Sequence, residues 1–84
     1  MRHIRVRLLF FAQYRDLAGS PRREIDVPVG CTAAELVRLV RAGDARLAAL
    51  PSDPIVAINE SYAELDAALN DGDEVALLPP VCGG

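Results

Sequence analysis

Apolar and polar residues alternate near the start of the chain. Ile4, Val6, Leu8 and Phe10 fall on one side of an extended segment, and Arg5 and Arg7 fall on the other. A period of two predicts a strand over residues 3–11 with one face on a core. The polar side turns apolar at Leu9 and Phe11. Tyr14, Leu17 and Ala18 then recur at i, i+3 and i+4 ahead of Gly19, which predicts a short helix closed by a glycine. Ser20-Pro21 breaks it, and residues 23–28 alternate again as a second strand ending at Pro28.

The clearest helix signal follows. Thr32-Ala33-Ala34-Glu35 has the form of a capping box, in which threonine and glutamate each satisfy an orphan amide at the helix start. Ala33, Leu36, Val37 and Val40 sit at i, i+3, i+4 and i+7, so one stripe faces a core. Arg38 and Arg41 suit the negative end of the helix dipole, and Gly43 is expected to end the helix. A shorter helical segment is expected over 44–50, stopped by Pro51. Ile55-Val56-Ala57-Ile58-Asn59 reads as a strand and Tyr62-Ala63 as a very short one. Leu65 and Leu69 are spaced for a helical turn, and Asn70-Asp71-Gly72-Asp73 has strong turn chemistry. Residues 74–78 form the last strand, which Pro79-Pro80 ends.

One amphipathic helix covering one face of a mixed four- to five-stranded sheet makes a two-layer α+β domain. A β-grasp arrangement, with the first and last strands parallel at the centre, fits this order best. A ferredoxin-like fold needs a second long helix, which the pattern lacks. Residues 1–78 are expected to form the body and residues 79–84 an extended tail.

Composition narrows the function. At 84 residues there is room for one small core and none for a deep, many-walled active site, so catalysis would need a partner. The net charge of −3 argues against a nucleic-acid or anionic-membrane binder, which needs clustered cations. All nine basic residues are arginine, so no side chain here forms a Schiff base or accepts an isopeptide bond. Cys31 and Cys82 form no C-x-x-C pair, and no metal site is expected. No signal peptide or membrane span is read, and a reduced, cytoplasmic setting is the expectation. His3, at the chain start, is expected to be solvated, and the carboxylates show no pairing suited to acid–base work. Cys31 precedes a helix start, which can lower a thiol pKa; packing in a core or loop is the simpler reading.

The distinctive feature is Pro79-Pro80-Val81-Cys82-Gly83-Gly84. Two final glycines arise by chance in roughly 0.5% of chains at average usage, and a frayed end is the bland explanation. Context favours a function: the prolines impose extended geometry as the chain leaves the sheet. Six residues at ~3.3 Å each carry the last carboxylate roughly 20 Å outward. Glycine, lacking Cβ, passes a narrow channel in another protein. The reactive group would then be the α-carboxylate of Gly84.

These residues resemble the small, sulfur-carrier subunits of molybdopterin synthase, a ubiquitin-like family. The resemblance runs through Leu9-Phe10-Phe11-Ala12, Arg15-Asp16 and Gly19, then Val56-Ala57-Ile58-Asn59. It continues through residues 69–76, Pro79-Pro80-Val81 and Gly83-Gly84. Leu77-Leu78 stands where the family often has aromatics, and Cys82 where it often has serine or threonine. The resemblance implies that a ubiquitin-activating-type enzyme adenylates Gly84 with ATP and that a sulfur source converts the adenylate to a thiocarboxylate. The tail then enters the large synthase subunit, which holds the pterin precursor and the catalytic pocket. No cofactor would be bound by this chain. Carriers for thiamine, cysteine or tRNA thiolation are close alternatives, and a ubiquitin-like interaction module without terminal chemistry is the alternative from another class.

Strand parity adds a docking surface. Arg5, Arg7, Leu9 and Phe11 share the face away from the helix, and Glu74 places Ala76 and Leu78 there too. With the first and last strands adjacent, Phe11, Leu9 and Leu78 would form an apolar patch beside the tail's exit, extended by Tyr62. Pro79, Pro80, Val81 and Cys82 would join it as partner contacts. A thiol two residues from a thiocarboxylate also raises an internal acyl disulfide at Cys82 on oxidation.

Overall fold

The alternation at residues 3–10 folds as predicted, with Val6, Leu8 and Phe10 buried and Arg5 and Arg7 exposed. The computed structural model describes residues 2–80. Its elements are β1 (His3–Phe10), α1 (Gln13–Ala18), β2 (Arg22–Pro28), α2 (Ala33–Gly43), a 3-10 turn (Ala45–Ala49), β3 (Ile55–Ile58), β4 (Ser61–Ala63) and β5 (Glu74–Leu78). The strands form one five-stranded sheet in the order β2-β1-β5-β3-β4. β1 runs antiparallel to β2 and parallel to β5, and β3 is antiparallel to both β5 and β4. The first and last strands are thus central and parallel, which is the β-grasp arrangement.

The core lies between one sheet face and α2. Leu36 and Val37 of α2 are fully buried with Val6 and Leu8 of β1, Val75 and Leu77 of β5, and Leu47 of the 3-10 turn. Each such side chain contributes about 1.5–3 kcal/mol by leaving water. The capping box forms in full: Thr32 Oγ1 accepts from Glu35 N at 3.2 Å, and Glu35 Oε1 accepts from Thr32 N at 3.0 Å. Gly19 closes α1 in the left-handed conformation (φ 77°), its N–H donating to Arg15 O at 3.0 Å.

One local expectation needs correction. Leu65–Leu69 is not a turn of helix. Its carbonyls serve another element: Ala34 N donates to Leu65 O at 2.8 Å and Ala33 N to Ala67 O at 3.0 Å, while Leu69 N donates to Cys31 O at 2.9 Å. The segment satisfies the amides that the start of α2 would otherwise leave orphaned, so its backbone groups are spent between elements. Gly43 ends α2 as expected, as its last helical residue. The chain leaves α2 through an extended Asp44 (φ −144°, ψ 119°), whose carboxylate accepts from Arg46 N at 2.9 Å and starts the 3-10 turn.

Candidate docking face and carboxyl-terminal site

The sheet face opposite α2 is where the candidate residues meet. Strand register sets them in one lateral row: Leu9 pairs with Ala76, Ala76 with Ala57, and Ala57 with Tyr62, crossing β1, β5, β3 and β4. Leu78 sits one pleat further along β5 opposite Ile55, and Phe11 lies just beyond the end of β1. The two alanines in the middle are short and their flanking residues long, so the face is concave. Its depression has a volume of about 310 Å³ and is lined by Leu9, Phe11, Ala57, Tyr62, Ala76 and Leu78, with Glu60 and Glu74 at the edge. Phe11 is 45% exposed and Tyr62 81% exposed, which is unusual for two aromatics on one face of so small a domain.

A polar strip borders this apolar ground. Arg7 Nη1 and Glu74 Oε2 are 3.2 Å apart, and Arg5 Nε donates to Asp26 Oδ1 at 2.9 Å. The hydrogen bond to Arg5 holds the Asp26 carboxyl below its ordinary value, and the same bond holds Arg5 above its own. These pairs are exposed and contribute little to stability. Their effect is to neutralise the charges of β1 and β2 at that end of the face.

Backbone geometry shapes both ends of the depression. Ala12, directly after Phe11, has φ 52° and ψ −129° and redirects the chain into α1. At the other end Asn59 (φ 51°) and Glu60 (φ 73°) form the two-residue turn between Ile58 and Ser61. Asp73 clamps this turn: its carboxylate accepts from Asn59 Nδ2 at 2.9 Å and from Asn70 N at 2.8 Å. Asn59 Oδ1 accepts from Glu74 N at 3.0 Å. The hairpin bearing Tyr62 is thereby tied to the first residue of β5, the strand that leads into the tail.

The structure brings Leu9, Phe11, Tyr62 and Leu78 to one depression, with half-buried Pro79 and exposed Pro80 following Leu78. Val81, Cys82, Gly83 and Gly84 lie outside the described residues. Ala57 and Glu60 belong to the same face and were not singled out from sequence. Finding them requires the register between β3 and β5, strands joined through β4 and a long loop. Cys31 is buried, and its Sγ–H donates to Thr32 O at 3.4 Å. Burial pushes this thiol up, with Glu35 adding to the shift, which agrees with the reading of Cys31 as a packed residue. His3 is exposed. Among the described residues no cluster of three His, Cys, Asp or Glu side chains is placed to hold a metal.

A β-grasp body, a concave apolar face and a Pro-Pro-initiated sequence ending in Gly-Gly define the ubiquitin-like carrier class. The ThiS family model matches residues 8–84, and the chain belongs to that family. It is 42% identical over 86 residues to a molybdopterin synthase sulfur carrier subunit from Drosophila erecta, covering 96% of this chain and 92% of the relative. The protein of the same name from Escherichia coli (strain K12) is 35% identical over 80 residues, covering 94% and 99%. Among solved structures, the complex of subunits 1 and 2 of molybdopterin-converting factor from Helicobacter pylori 26695 contains a chain that matches with a TM-score of 0.64 and 27% identity. That match covers 96% of this chain and all of the other.

Proposed function

We propose that this chain is the sulfur-carrier subunit of a molybdopterin synthase. The observation that carries the reading is the end-to-end similarity to sulfur carrier subunits, in a chain whose own sequence ends in Gly83-Gly84. The H. pylori complex pairs a similar chain with a second subunit, which supports a large synthase subunit as the docking partner here.

The chemistry follows from what a carboxylate needs. A free carboxylate is a poor electrophile. An adenylating enzyme of the ubiquitin-activating type joins Gly84 to the α-phosphate of ATP, releasing pyrophosphate, and the acyl-adenylate becomes a good electrophile. A sulfide equivalent displaces AMP and leaves a terminal thiocarboxylate. Docked in the large subunit, the thiocarboxylate gives its sulfur to the pterin precursor, and the carboxylate is regenerated. This chain contributes the reactive end, the extended tail and the docking face, while the catalytic pocket belongs to the large subunit. Leu9, Phe11, Tyr62 and Leu78 are the docking residues on the body. Pro79, Pro80, Val81 and Cys82 are the tail contacts, with Gly83 giving the reacting end passage.

Intact-protein mass spectrometry after incubation with the activating enzyme, ATP and a sulfur donor tests the reading. Exchange of one terminal oxygen for sulfur is expected, together with pterin thiolation when the large subunit is added. Deletion of Gly84 is expected to abolish the exchange with no loss of thermal stability. An unmodified carboxylate in the full chain, or full activity in the truncation, would overturn the proposal.

A further inference from the structure

The turn that carries Glu60 holds a side chain where the backbone favours glycine. Asn59 and Glu60 both have positive φ in a two-residue hairpin loop, which is type I′ geometry. Asparagine followed by glycine is the preferred pair there, because a Cβ crowds the backbone at positive φ. Asn59 fits, with its amide bonded to Asp73 and to Glu74 N. Glu60 does not. It is exposed, and among the described residues its carboxylate takes part in no hydrogen bond or ion pair. The neighbouring carboxylate on this face, Glu74, is already engaged by Arg7 at 3.2 Å.

Glu60 therefore strains the turn and returns nothing to the isolated fold that glycine would not supply. Its side chain lines the same depression as Tyr62 and Leu78. Ala12, beside Phe11 at the opposite end, shows the same combination of exposure and positive φ (52°). Tyr14 N donates to Phe11 O at 3.0 Å, making Ala12 the first central residue of a type II′ turn, again a glycine position. Strained side chains thus flank the docking face at both ends, as expected where backbone strain is kept for function.

We propose that Glu60 is a specificity residue for docking: its carboxylate meets a cationic side chain on the large subunit, at the rim of the apolar contact. The inference rests on the docking reading given above. Rim charges act mainly through encounter rate and choice of partner, so the effect is modest and salt-dependent.

The test compares Glu60→Gly and Glu60→Gln, each titrated with the cognate large subunit at low and high salt beside a thermal melt. Glu60→Gly is expected to raise the melting temperature by about 4 °C, because it creates the favoured Asn-Gly turn. It is also expected to weaken binding about 2- to 5-fold at low salt. Glu60→Gln keeps the strained turn and the wild-type melting temperature, loses the same affinity and shows a flatter salt dependence. A more stable protein that binds less well is a combination that a purely structural role does not produce. Wild-type affinity in both variants, or a lower melting temperature in Glu60→Gly, would overturn the inference. A Leu78→Asp control separates the two layers. If it too binds normally, the docking face itself is misassigned; if only the Glu60 variants do, this inference alone fails.

Discussion

Replacing Leu78 with aspartate separates the docking face from the fold that carries it. Leu78 is half-buried on the outer face of β5, opposite Ile55 of β3 and at the edge of the 310 Å³ depression. Its backbone pairing does not depend on the side chain, and the core residue beside it, Leu77, is untouched. In the free protein the exchange forfeits only part of a leucine's burial, about 1 kcal/mol, which lowers the melting temperature by roughly 4–8 °C for a domain of this size. In the complex the leucine is covered completely, and its loss removes about 1.5–3 kcal/mol. A carboxylate in its place also loses hydration against apolar surface, beside Glu60 and Glu74, which costs a further ~1–3 kcal/mol. Less the ~1 kcal/mol already forfeited in the free protein, the net loss is at least about 1.5 kcal/mol, which predicts an affinity for the large subunit reduced at least about tenfold. Isothermal titration gives the affinity, and a melt of the same sample shows that the fold survives. Binding within about twofold of wild type in a folded variant would refute the assignment, since rim substitutions of that kind stay below ~0.5 kcal/mol.

Two further predictions concern how the fold is held. Asp73 is the one buried charged residue among those described, and Asp73→Ala strands the Asn59 amide and the Asn70 N–H. The expected loss is about 2–3 kcal/mol, seen as a drop of roughly 10–20 °C in melting temperature, and a drop under ~3 °C would contradict the clamp. Asp44 is held below its ordinary value of 3.8 chiefly by the hydrogen bond from Arg46 N, then by the Arg46 side chain. Because the folded-state value is depressed, this stability is present above the unfolded value and disappears as pH falls through the folded one. Asp44→Asn should therefore flatten the decline in stability below pH ~4. An unchanged acid limb in denaturant titrations would rule that out.

The legible parts of this protein are those set by neighbours in sequence. The period of two in β1 identified its buried face, because successive side chains on a strand must point to opposite sides. Thr32 and Glu35 marked the start of α2, since a capping box closes within four residues. The glycine at position 19 and the Asn70–Asp73 turn were equally plain. The stretch from Leu65 to Leu69 misled, because helical spacing carries no information about carbonyls claimed by a distant helix start. Gly43 does end α2, and Asp44, bonded to Arg46 N, supplies the exit from it.

Parity in β1 and β5 was enough to place Leu9, Phe11 and Leu78 on one face once those strands were taken as neighbours. The chemistry proposed for the tail rests on Gly83-Gly84 and the prolines before them, as a matter of sequence alone. What only the tertiary structure decided is the shape and the rim of the candidate docking face. The row from Leu9 through Ala76 and Ala57 to Tyr62 depends on the register of four strands, two of which pair across 67 positions of sequence, as Arg7 does with Glu74. Register is fixed by the whole core at once, because a one-residue slip would turn every buried side chain outward. The strain at Ala12 and Glu60 is equally invisible beforehand, since neither residue type announces a positive φ. Local pattern determined the elements; long-range pairing determined the surface proposed for docking.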